Sequence, residues 1–187
     1  DTDRSRGLGD VYKRQLINNK EILPFEKVWY DVWKNINNLT IREQITITTY
    51  IVNYINPDFT PAYIVRGDAY FTNKDYINAL QDYTIAIEQQ PNNAEIYYKR
   101  GLTYNYLKDF YSNAINDFKQ ATDLNNNVAN FWAEYSYALK FSHYGADEML
   151  AKAIAINPQY KNFNYNELEQ QRTTIVYSSA LEKALFY

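Results

Sequence analysis

The chain has 187 residues, a formal charge of −3 and no cysteine. An acidic chain lacks the basic footprint that phosphate backbones require, so nucleic acid is not an expected partner, and the absent cysteines exclude disulfides and thiolate metal sites. His143 is the only histidine, and the apolar stretch from Ile45 to Ile55 is interrupted by Thr46, Thr48, Thr49 and Asn53. No catalytic residue, metal, cofactor or transmembrane segment is therefore expected.

Taken from the N-terminus, Ser5 to Gln15 resembles a translated sequencing-library adaptor, and residues 1–15 carry no helical stripe. They read as a non-native leader, with 16–25 as a linker. On that reading the native N-terminus is lost upstream of Leu16 and residues 16–187 are a fragment. A signal peptide or lipid anchor would be lost with it, so cytoplasmic and cell-envelope locations both stay open. The 20 tyrosines and the many asparagines and isoleucines fit A/T-rich codons of a low-GC bacterial source, so an individual tyrosine or asparagine carries little information.

From Trp29 onward the chain is periodic. Trp29, Tyr63, Tyr97 and Phe131 lie 34 residues apart, as do Pro57 and Pro91. In residues 60–93, Tyr63, Gly67 and Tyr70 follow the helical period and mark one face of a first helix. Ala79, Tyr83 and Ala86 mark a second helix, and Pro91-Asn92-Asn93 a turn. Residues 94–127 repeat this with Tyr97, Gly101, Tyr104, Phe110, Ala114, Phe118 and Ala121, with one extra residue between Phe110 and Ala114. Asn126 stands where the first unit has proline, and asparagine tolerates the left-handed backbone of a helix stop. Two flanking units are eroded. Residues 26–59 keep Trp29 and Pro57, carry Trp33 in place of the glycine, and set Ile45, Thr49 and Val52 at the second-helix positions. Residues 128–160 keep Phe131, Ala146, Leu150, Ala153 and Pro158, carry Tyr135 in place of the glycine, and are shortened around Ser142 to Gly145. Residues 161–187 read as a capping helix with Leu168, Ile175, Val176 and Leu185 as its apolar surface. Asp75, Asp82, Asp109 and Asp117 read as turn or outer-face carboxylates.

The aromatic, glycine, tyrosine, alanine and proline offsets of residues 26–160 resemble the tetratricopeptide repeat, closely over 60–127 and loosely outside it. The resemblance implies an all-α fold, a right-handed α-solenoid of antiparallel helix pairs, in which units stack to share one core. It further implies a concave groove lined by first helices, with Ile64, Asp68, Phe71 and Thr72 from one unit and Tyr98, Leu102, Asn105 and Tyr106 from the next. Tyr30 and Lys34 join on one side and Trp132 and Ser136 on the other. The ladder Tyr30, Ile64, Tyr98, Trp132 suits a protein or peptide ligand, and Tyr98→Ala is expected to weaken binding while sparing the fold. The expected function is a non-catalytic protein-interaction scaffold. Alternatives are an accessory segment of a larger enzyme or envelope lipoprotein and, last, a helical-repeat RNA binder. Some members of this family grip acidic chaperone tails with a lysine, asparagine and arginine clamp. Here only Lys34 matches and Asp68 repels a carboxylate, so such tails are not expected to bind.

Overall fold

Helices begin where a short polar residue satisfies the free N–H groups of a first turn. Thr40 opens α1 (Ile41–Tyr50) with a reciprocal cap. Its hydroxyl accepts from the Glu43 N–H at 3.3 Å while the Glu43 carboxylate accepts from the Thr40 N–H at 2.8 Å. Pro61 occupies the first turn of α2 (Thr60–Thr72), where its missing N–H costs nothing. Asp75 caps α3 (Tyr76–Gln89) and Asn93 caps α4 (Ala94–Tyr106). α5 (Tyr111–Leu124) and α6 (Ala129–Lys140) follow, then α7 (Ala146–Ile156), entered through Gly145 at φ 80°, and a 3-10 turn, Pro158–Asn162. The computed structural model describes Trp29 and residues 33–107, 110–141 and 145–166. The expected leader and linker, Tyr30, Asp109, His143 and the apolar positions from Leu168 to Leu185 lie outside the described residues.

Three of the helix stops share one device. Asn56, Asn125 and Asn157 have extended backbone. Each accepts on Oδ1 from the N–H two residues on, at 3.0, 3.2 and 3.1 Å. The stop after α5 is therefore an Asx turn at Asn125, not the left-handed backbone expected at Asn126. Among the described residues only Lys74, at φ 61°, is a non-glycine in that region.

α2 with α3, α4 with α5 and α6 with α7 form antiparallel hairpins. α3 packs on α4 and α5 on α6, which joins one hairpin to the next, and α1 packs on α2. The result is an all-α solenoid of helix pairs. Its hydrophobic cluster joins Ile51, Val52, Ala62, Tyr63, Ala79, Tyr83, Ala86, Ile87 and Ile96, with a second cluster at Ala114, Phe118 and Ala138. Glycine is required at the crossings. A Cβ on Gly67 would sit 2.7 Å from the Tyr83 ring, and one on Gly101 would sit 3.0 Å from the Phe118 ring.

Three placements differ from the sequence expectation. First, α1 runs on as a π-helical turn, Ile51–Ile55. The buried face is Thr48 with Ile51 and Val52, an ordinary helical spacing, while Thr49 stays half-buried and gives no face to the core. Second, Asp82 and Asp117 are not outer-face carboxylates. Both are buried and form ion pairs with Arg66 and Arg100 at 2.7 and 2.8 Å. Burial holds each carboxyl above its ordinary value, with the paired guanidinium pulling the other way.

The third difference concerns α6. Ala79, Asp82 and Tyr83 recur in α5 as Ala114, Asp117 and Phe118, at 35 residues rather than 34. α6 keeps that longer offset from α4. Buried Ile96, Gly101 and Thr103 correspond to buried Phe131, Ser136 and Ala138, so Ser136 takes the place of the crossing glycine. Tyr97 then corresponds to Trp132, and Tyr98 to buried Ala133. One added residue turns a helix face by about 100°.

Candidate functional site

The first helices α2, α4 and α6 lie side by side, and side chains bridge each to the next. Asp68 of α2 binds Lys99 of α4, with the ammonium donating to Oδ1 at 2.9 Å and Oδ2 at 3.0 Å. Asp68 Oδ1 also accepts from the Tyr83 hydroxyl at 2.7 Å. Burial pushes the Tyr83 phenol up, and the nearby Asp68, Asp82 and Glu95 carboxylates add to that push. Phe71 of α2 meets Tyr106 of α4 edge-on, with centroids 5.2 Å apart at 88°. Tyr76 closes a three-ring group with centroids 5.5 Å from Phe71 and 5.4 Å from Tyr106. Burial first, and Tyr106 second, push the Tyr76 phenol up to about 12.

Between α4 and α6, Asn105 is 1% exposed and donates from Nδ2 to Glu134 Oε2 at 3.3 Å. Its carbonyl oxygen, Oδ1, has no hydrogen-bond partner among the described residues. Tyr98 stacks on Phe131 of α6, with centroids 4.8 Å apart at 29°. Tyr98 and Leu102 also pack against the second hydrophobic cluster.

The residues expected to face a ligand therefore divide. Asp68 and Tyr106 are half-buried and bridge α2 to α4, Phe71 is half-buried against both Tyr106 and the first cluster, Asn105 is buried between α4 and α6, and Thr72 is exposed. Ile64, Tyr98 and Leu102 are half-buried and pack against core, because the stacked hairpins use those positions to cover each other. Lys34 is exposed ahead of α1. Trp132 and Ser136 are not brought to these bridges. The Trp132 N–H donates to the Asn126 carbonyl at 2.9 Å, and the Lys152 ammonium lies 4.7 Å above the ring. With Thr122, Asp123 and Ile156 it lines a separate cleft of about 590 Å³. Ser136 is fully buried, donates to the Ala146 carbonyl at 2.8 Å and contacts the Tyr165 hydroxyl. Both placements follow from the 35-residue offset.

The sequence reading missed Glu95, Lys99 and Glu134. The available signal was local, since Lys99 lies three residues before Leu102 and hence on the same face. Glu134 follows Lys99 by the 35 residues that relate α4 to α6. Among the described residues no group of three or more His, Cys, Asp or Glu could hold a metal ion. No described helix is long and apolar enough to cross a membrane.

Comparison with known proteins agrees with this architecture. Residues 67–105 match the family described as TPR repeat, and residues 94–128 match the family described as tetratricopeptide repeat. The second match spans the same 35 residues that the buried positions define. Among solved structures, the crystal structure of MamA is similar over 86% of this chain and 96% of that one, with TM-score 0.68 and 18% identity. The first tetratricopeptide domain of Spaghetti (RPAP3), bound to the HSP90 peptide SRMEEVD, is similar over 63% of this chain and 92% of that one. Its TM-score is 0.51 and its identity 20%. The Arabidopsis OM64 domain is similar over 62% and 94%, with TM-score 0.52 and 20% identity. At these identities the likeness is one of fold.

Proposed function

We propose that this chain, which belongs to the tetratricopeptide-repeat family, is a non-catalytic scaffold that holds a peptide or protein segment against the inner face of α2, α4 and α6. The observation that carries the reading is the lateral bridging of those three helices. Asp68 to Lys99, Phe71 to Tyr106 and Asn105 to Glu134 make one continuous wall. A wall held by its own contacts is preorganised, so little ordering is lost when a ligand lies along it.

Acidic C-terminal tails of the kind bound by the Spaghetti domain fit this wall poorly. Its central cation, Lys99, is already held by Asp68, and a ligand carboxylate would have to displace one fixed at 2.9 Å. Selection of random displayed nonapeptides against the chain, followed by amide-exchange footprinting, tests the reading. Protection confined to α2, α4 and α6 supports it. Protection on α3, α5 and α7, or an acidic tail peptide selected above all others, overturns it.

A further inference from the structure

We propose that the Asp68–Lys99 pair, on the seam between α2 and α4, is a clamp for the main chain of the bound segment. The Lys99 ammonium donates to a main-chain carbonyl, and the Asp68 carboxylate accepts from the N–H of the same residue. The proposal rests on the inner-face reading above and assigns the chemistry of its contact.

The first observation is the bonding that the pair leaves open. Lys99 Nζ lies 2.9 Å from Asp68 Oδ1 and 3.0 Å from Oδ2, which engages at most two of the three N–H groups of an ammonium. Oδ1 also accepts from the Tyr83 hydroxyl, whereas Oδ2 takes Lys99 alone among the described residues. A carboxylate oxygen has about two acceptor sites. One N–H and one acceptor site therefore remain, on atoms 3.0 Å apart. They are also within reach of a ligand. The Lys99 and Asp68 side chains are 26% and 41% exposed, whereas Asp82 and Asp117, paired with Arg66 and Arg100, are 4% and 7% exposed.

The second observation is charge. The pair sums to zero, so a ligand ammonium or carboxylate is attracted by one member and repelled by the other. A neutral amide meets no such repulsion and bonds to both members without breaking their own bond. In an extended chain the N–H and C=O of one residue point to the same side, as they do in a strand pair. That matches a donor and an acceptor held side by side. An asparagine or glutamine side chain carries the same two groups, but it must be frozen in one rotamer to present them, so the main chain is the better match. Phe71 lies one helical turn beyond Asp68 and meets Tyr106 across the same seam, so the surface beside the clamp is aromatic and uncharged.

The probe is the most enriched nonapeptide of the selection above, synthesised with blocked ends, and its binding to the full chain is read by fluorescence anisotropy. Each residue is replaced in turn by its N-methyl form and, separately, by alanine. N-methylation of the residue seated on the clamp is expected to weaken binding by about tenfold, while alanine there changes it little. Asp68→Ala, checked for a parent-like circular dichroism spectrum, is expected to abolish that N-methyl penalty. An ester that weakens the carbonyl seated on Lys99 supplies a second cycle, with its penalty present in the parent and absent in Lys99→Met. Lys119→Met, exposed on α5, is expected to leave both penalties in place. A penalty of unchanged size in the matching variant overturns the clamp, as does a binding loss that follows an asparagine or glutamine side chain instead of the main chain. If the N-methyl scan is flat while α2, α4 and α6 are protected, the scaffold reading stands and the clamp falls. If no selected peptide protects those helices, both fall.

Discussion

Arg100 grips Asp117 through two parallel hydrogen bonds, Nε to Oδ2 and Nη2 to Oδ1, both 2.8 Å, and its third nitrogen reaches Thr84 of the preceding hairpin at 3.1 Å. Arg66 does the same with Asp82 at 2.8 and 2.7 Å, and with Thr49 at 3.3 Å. Each guanidinium also lies over the aromatic ring three residues earlier, Tyr63 or Tyr97, at 5.4 and 5.9 Å. One side chain thus ties a first helix to its own second helix and to the hairpin before it. In α6 the corresponding residue is Tyr135, which stacks on Trp132 instead, so the tie ends with the second full hairpin.

Removing one partner of this tie should be costly, because the other charge stays buried. Asp117→Ala is expected to lower unfolding stability by about 3 kcal/mol, read as a shift of the urea midpoint. Replacing Arg100 with Met in the same chain should recover much of the loss. A single variant as stable as the parent would mean that the pair adds nothing to the stacking.

The crossing glycines give a second expectation. A Cβ on Gly67 would lie 2.7 Å from the Tyr83 ring, and that ring is pinned by its hydroxyl on Asp68. Gly67→Ala and Gly101→Leu should therefore each cost about 1–3 kcal/mol through overpacking. Unchanged melting temperatures would contradict these crossings.

Lys74 holds φ 61° in the turn between α2 and α3, a region that penalises a side chain and suits glycine. Lys74→Gly should stabilise the chain by roughly 1 kcal/mol, seen as a raised melting temperature.

Tyr98→Ala should not be the silent fold variant that its spacing suggests. Stacked on Phe131 and packed against the second cluster, it should cost about 2 kcal/mol or more on truncation. Thermal unfolding of the variant decides this directly, with a parent-like transition returning Tyr98 to the ligand face.

At alkaline pH the buried phenols set the sign. Tyr76 keeps its proton in the folded chain to about 12, whereas an unfolded tyrosine loses it near pH 10. Between those values the unfolded chain binds fewer protons. Stability present below about pH 10 is then lost as pH rises toward 12. Tyr76→Phe should flatten that decline, measured by urea unfolding at pH 9 and pH 11.5, and an unaltered decline would remove Tyr76 from its causes.

Residue pattern alone determined the helical hairpins, the close-packing role of Gly67 and Gly101, and the family resemblance. These depend on spacings within a helix or across one short turn, where the 3.6-residue period leaves little freedom. Tertiary structure decided which side chains reach the inner face. The extra residue after Phe110 was visible, but only the packed hairpins show that α6 inherits its 35-residue offset. That offset turns Trp132 outward and buries Ser136. Asp82, Asp117, Lys99 and Glu134 read as ordinary surface charges along the chain. Their partners lie 16 to 31 residues away, on helices whose rotation about their own axes is set by how neighbouring hairpins pack.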